Sequence, residues 1–149
     1  MPPRFKIKTA QYKILPDDNV IFCKVVFTGP ESSRIIDLIL DTGATISTMP
    51  RQTALAIGCD PIKSTQRIEM ITASGIEYAP VITIPKIKLF TFEIKNVNFV
   101  CHDLPIQTPV AGLLGLNLLT KFNIHLDFLD SLLKVISKSR KADLPLRGK

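Results

Sequence analysis

The sequence predicts an all-β fold, a sandwich or barrel with little helix, on three observations. Short runs rich in Val, Ile, Phe and Thr recur along the chain, Pro, Gly, Asp and Asn punctuate them, and only two stretches carry helix signals. A chain of 149 residues suits one domain, burying roughly 70% of the surface it would expose unfolded.

Each element has a local reason. Strands are expected over 6–14, 20–28, 34–40, 67–72, 76–84, 93–101 and 124–136, where β-branched and aromatic residues gather between turn formers. The last should fold back at Asp130-Ser131. The runs 67–72 and 76–84 should form a hairpin meeting at Ser74-Gly75, a dipeptide suited to a tight turn with positive φ. In MPRQTALAIGCDP, Pro50 fits the first turn of a helix and Gly58 its stop; GLNLLTKFN can hold two turns after Gly115. The ends, 1–4 and the polar 137–149, read as loose, with no linker between them.

Charge and cysteine content bound the partners. The formal net charge is +6, but six Lys/Arg against one Asp lie between Lys134 and Lys149, while the rest of the chain holds 13 against 12. A basic tail on a near-neutral body gives no reason to expect a nucleic-acid partner. Cys23, Cys59 and Cys101 are odd in number and widely spaced, without a C-x-x-C pair or a secretory signal ahead of them. Free thiols in a reducing, cytoplasmic compartment are expected. Every apolar run is interrupted before the roughly eighteen residues that span a bilayer, so no membrane partner is expected either.

One carboxylate stands out. In LILDTGATISTMP, Asp41 follows an apolar run that reads as a buried strand, where a charge must be hydrogen-bonded, shared with a partner or neutralised. Gly43, with no Cβ, lets backbone N–H groups approach the acid, and Thr42 offers a hydroxyl that can tie one loop to another. Alone, Asp-Thr-Gly is also ordinary turn chemistry. Further along, VAGLLGLNLLTKFNIHLDF sets Leu113 and Leu114 before Gly115 and a short helix.

The spaced pair of motifs resembles the retropepsin-like aspartic proteases, the family of retroviral proteases and their cellular and bacterial relatives. The resemblance spans about 20–136 and implies a closed acid-protease barrel with a flap hairpin and one or two short helices, one lobe per chain. It implies that Asp41 is catalytic, in a loop completed by Thr42, Gly43, Ala44 and Thr45, and that Leu113, Leu114 and Gly115 form a psi-shaped crossing beneath it. RIEMITASGIEYAPVITI would be the flap, with Thr72, Ala73, Ser74, Gly75 and Ile76 meeting substrate. Tyr78, on the descending arm, is read as a cross-strand packing residue rather than a cleft residue. The corresponding division of the chain is an N-terminal arm over 1–18, a protease domain over 19–136 and a basic tail over 137–149.

Two-lobed relatives carry two such loops, whereas this chain has one Asp-Thr-Gly. The resemblance therefore implies a homodimer that sets Asp41 beside its symmetry mate. Two carboxyls about 3 Å apart share one proton, so one can deprotonate a water while the other hydrogen-bonds the scissile carbonyl. The function implied is aspartic endopeptidase activity on protein or peptide substrates, without cofactor or metal. A non-catalytic module that dimerises or binds peptide strands is the alternative.

Two departures from the retroviral pattern bear on the dimer: Thr45 stands where those enzymes usually have Asp, and Leu116 where they have Arg. Both partners of a supporting ion pair are missing, leaving 124–136 as a candidate interface. The methyl of Ala44 cannot donate a hydrogen bond to the acids, as a serine there could, which implies a less acidic pH optimum. His102 and His125 lack zinc spacing and read as packing or surface residues; His125 and Asp127 share a strand face suited to a local ion pair.

Overall fold

Along the second strand, Cys23, Val25 and Phe27 point inward while Phe22 and Lys24 point out, the period-two burial of a strand that covers a core on one face. The computed structural model describes residues 5–14, 20–104 and 111–140. The order is β1 (Phe5–Lys13), β2 (Phe22–Thr28), β3 (Ser33–Leu40), β4 (Thr48–Met49), α1 (Arg51–Ala56), a 3-10 turn (Pro61–Lys63), β5 (Gln66–Thr72) and β6 (Gly75–Leu89). It continues with β7 (Phe92–Cys101), β8 (Leu113–Leu114), α2 (Leu116–Leu119), β9 (Asn123–Asp127) and β10 (Leu132–Arg140). The fold is mostly β with two short helices, as the sequence predicts.

The larger sheet runs β4-β7-β6-β2-β3-β8, with β5 paired to β6 as a projecting hairpin; β1, β10 and β9 form a second sheet. Neighbours are antiparallel except β3 with β8 and β4 with β7. The path is open, and the closed barrel implied by the resemblance is not what the ladders make. β4 and β8 stand at its two ends and are joined through a side chain, the Leu113 N–H donating to Thr48 Oγ1 at 3.0 Å. Two-residue strands at a crossing are too short to build a ladder, and a threonine hydroxyl closes the seam instead.

Phe27 and Phe99 meet edge to face at the centre, ring centroids 5.0 Å apart. Around them Val25, Leu38, Met49, Ile57, Ile84, Ile87 and Leu118 are buried. Phe122, just after α2, meets Phe90 edge to face and Phe92 at a tilt, and fastens the C-terminal segment to the turn that joins β6 to β7.

Several boundaries differ from the sequence expectation for identifiable reasons. β6 runs past 84 to Leu89, because Pro85 leaves the ladder for one position and the register resumes from Ile84↔Val97 to Lys86↔Lys95. The hairpin between β6 and β7 turns on Phe90 and Thr91, both at positive φ, with no glycine or asparagine to announce it. β10 continues to Arg140, paired with β1 as far as Phe5, four residues into the stretch read as a loose tail. The ends 1–4 and 141–149 lie outside the described residues.

α1 starts after Pro50, which is its N-cap rather than a first-turn residue. It ends as expected at Gly58: with φ +91, its N–H reaches Leu55 O and the next N–H, of Cys59, reaches Ala54 O. α2 is one turn shorter than expected, its C-terminal Thr120 hydroxyl bonding the Leu116 carbonyl at 2.7 Å. Among the described residues no helix is long and apolar enough to cross a membrane.

Candidate active site

β3 delivers Asp41 into a backbone clamp. On one side the Leu40 N–H donates to Ile21 O at 2.9 Å; on the other the Asp41 N–H donates to Leu114 O at 3.0 Å. The chain then turns back, the Ala44 N–H donating to Asp41 O, and the Gly43 N–H donates to Asp41 Oδ1 at 2.8 Å. A Cβ at Gly43 would lie 3.1 Å from that oxygen, so a glycine lets the amide come this near.

Asp41 is half-buried, not buried as the sequence predicted. The apolar run before it is not a buried strand throughout, since Ile35 is 62% exposed and Ile39 and Leu40 are half-buried. Among the described residues Gly43 is the only hydrogen-bond partner of the carboxylate, and Oδ2 is uncommitted. Thr42 is exposed, and within one chain its hydroxyl makes none of the loop ties expected of it among those residues.

Beneath the loop lies the segment carrying Leu113, Leu114 and Gly115. The Leu116 N–H donates to Ala44 O at 2.8 Å and the Asn117 N–H to Thr45 O at 3.1 Å. A Cβ on Gly115 would sit 2.7 Å from the Ala44 oxygen and 2.8 Å from the Ile46 carbonyl carbon, so no other residue allows this approach. Thr45 and Leu116, which lack the charges of the retroviral pattern, are thus joined to this crossing through backbone.

Two residues the sequence reading passed over hold the crossing together. Ser47, fully buried, donates both its N–H and its hydroxyl to Asn117 Oδ1, each at 2.8 Å, and its oxygen accepts the Gly115 N–H at 2.9 Å. Asn117 Nδ2 donates to Asn98 O at 2.9 Å. No sequence-level signal marked the pair: Ser47 stands between Ile46 and Thr48 in a stretch where hydroxyl residues are common.

The hairpin of β5 and β6 projects beside this loop. Its turn is centred on Ala73-Ser74, one residue earlier than expected, because Thr72 pairs with Gly75 and only Gly75 takes positive φ, at +125. The Thr72 hydroxyl closes it, donating to Gly75 O at 2.9 Å. Residues 73–76 are exposed and Thr72 is half-buried. Tyr78 does not pack as predicted: it is 65% exposed opposite Glu69, on the face away from Ile68 and Ala79.

Other groups take no part. His102 is half-buried at the end of β7. Asp127 accepts the Asp130 N–H at 3.0 Å, and no ion pair with His125 forms among the described residues. Burial pushes the thiols of Cys23 and Cys101 up to about 12, so neither is a thiolate nucleophile near neutral pH. Among the described residues no group of three or more His, Cys, Asp and Glu side chains is placed to hold a metal.

Loop, crossing and hairpin together define a class. The profile described as aspartyl protease matches residues 28–118, and the chain belongs to that family. Among solved structures it is similar to a retropepsin-like aspartic protease from Rickettsia conorii, with a TM-score of 0.70. The two are 20% identical over 94% of this chain and 98% of that one, a likeness that establishes a retropepsin-like fold. Comparison with curated protein sequences gave no match.

Proposed function

We propose that the chain is an aspartic endopeptidase whose site forms at the axis of a homodimer, where two Asp41 carboxyls activate one water. The carrying observation is the pinned acid: Asp41 has one oxygen on the Gly43 N–H, the other without a partner among the described residues, and its loop fastened from below through Leu114, Gly115 and Leu116. A single lobe holds one such acid, and twofold pairing presents the same loop from both copies.

In this reading the paired carboxyls hold one proton between them. The ionised member takes a proton from the water, and the other hydrogen-bonds the scissile carbonyl, giving a tetrahedral diol that collapses as the leaving amine is protonated. Thr42, Gly43, Ala44 and Thr45 shape the loop, Leu113, Leu114 and Gly115 support it, and Thr72 to Ile76 form the flap tip over a peptide bound as an extended strand. The protease unit is 19–136, with β1 from the 1–18 arm completing the second sheet.

Purified protein is to be sized by sedimentation and assayed on a peptide mixture beside Asp41→Asn. The reading expects dimers, and a loss of cleavage by at least about 100-fold in the variant. Unchanged cleavage in Asp41→Asn would sink it.

A further inference from the structure

Register fixes which flap side chains share a face, because directly opposed residues of an antiparallel pair point the same way. Ile68 with Ala79, Met70 with Glu77 and Thr72 with Gly75 make one face; Arg67 with Pro80, Glu69 with Tyr78 and Ile71 with Ile76 make the other. The first face is turned to the loop that carries Asp41. Ala79 and Val81 are buried there against Val100, and Ile46 from that loop packs on them together with Ile68 and Met70.

Among the described residues, Glu77 is the one charged side chain that the hairpin register places on this wall. It lies about 7 Å closer to the tip than Ala79, two residues along an extended strand, and it is exposed. The hairpin residues that share its face, Ile68, Met70 and Thr72, are uncharged, and the nearest charges on the hairpin, Arg67 and Glu69, are on the opposite face. The ion pairs among the described residues are Lys24 with Asp37 and Lys86 with Glu93, neither of which engages Glu77.

We propose that Glu77 selects a lysine or arginine side chain of the peptide substrate, bound under the flap beside the scissile bond. The assignment rests on the reading of Asp41 as the catalytic acid. A peptide lying between flap and loop strips water from the wall, and a carboxylate desolvated among apolar groups is stabilised by a cation. Met70 and Ile68 suit the methylene stem of Lys or Arg. An acidic substrate residue at the same place would meet a like charge and be rejected. In a twofold dimer each flap brings one Glu77, so the preference falls on both sides of the cut bond.

The test uses the full chain and peptides that differ at one position, Lys, norleucine or Glu, scanned along a cleaved parent. Wild type is expected to prefer Lys over norleucine by about five- to tenfold in kcat/KM at one position on each side of the cut bond, with Glu last. Glu77→Gln collapses that ratio toward one, Glu77→Lys inverts the order to favour Glu, and 1 M salt flattens it. Equal rates across the series in wild type, or an unaltered order in Glu77→Lys, overturn the assignment. Binding of the same labelled peptides by fluorescence anisotropy separates the two readings. If nothing is cleaved yet binding keeps the order and Glu77→Lys inverts it, the protease reading fails and Glu77 stands. Charge-blind binding removes Glu77 even if cleavage persists.

Discussion

Asn117 Oδ1 accepts two hydrogen bonds from Ser47, one from its N–H and one from its hydroxyl, each at 2.8 Å, across a separation of 70 positions. Ser47 is completely buried, so Asn117 is what makes its polar atoms tolerable.

Asn117→Ala leaves the Ser47 amide without a partner and frees its hydroxyl. Leaving a buried polar group unsatisfied costs about 1–3 kcal/mol. The expected result is a Tm lower by several degrees, read by calorimetry. A Tm equal to wild type would show that solvent reaches Ser47.

The two glycines of loop and flap fail differently. Gly115→Ala drives a methyl into the Ala44 and Ile46 backbone, and overpacking of this kind costs about 1–3 kcal/mol. Gly75→Ala meets no atom within 4 Å but must hold φ +125, a strain of about 1–3 kcal/mol confined to the hairpin tip. Thermal melts of both, with KM on a cleaved peptide, should show Tm lowered in each and KM raised in Gly75→Ala, whose strain sits at the hairpin tip.

Ala44→Ser places a hydroxyl next to the acid loop. A donor to a carboxylate favours its ionised form, so the acidic limb of the pH profile of kcat/KM should move to lower pH. A limb that stays put or rises would mean the serine hydroxyl points elsewhere.

Burial of Cys23 and Cys101 ties stability to alkaline pH. In the unfolded chain these thiols ionise near 9.0, whereas in the folded protein they hold their protons to about 12. Their contribution is complete below pH 9.0 and is lost as pH rises from there toward about 12, because only the unfolded state releases protons in that window. Urea midpoints should fall between pH 9 and 11, and Cys23→Val with Cys101→Val should flatten the slope. At pH 8 the half-buried Cys59 should react with a thiol reagent ahead of the other two.

What the sequence made legible was local backbone chemistry. Asp41 with Gly43 and the Leu-Leu-Gly run each require a glycine for close approach, and the structure brings them within one hydrogen bond, Asp41 N–H to Leu114 O. The Ser47–Asn117 lock was invisible because neither residue is unusual where it stands and their meeting depends on the whole crossing. The Phe90-Thr91 turn was hidden for a different reason, since both residues take positive φ, which neither type favours, in the tight connection between β6 and β7. Prolines misled at β6, where a missing donor interrupts one rung without ending the strand.

The clamp on Asp41 joins an early stretch of the chain to a late one. A nascent polypeptide that has emerged through β7 already carries the acid, yet it has neither Leu114 to fix its amide nor Gly115 and Leu116 to seat the loop. The loop around Asp41 is thereby left unseated until synthesis has passed 119 and that part of the chain has folded home.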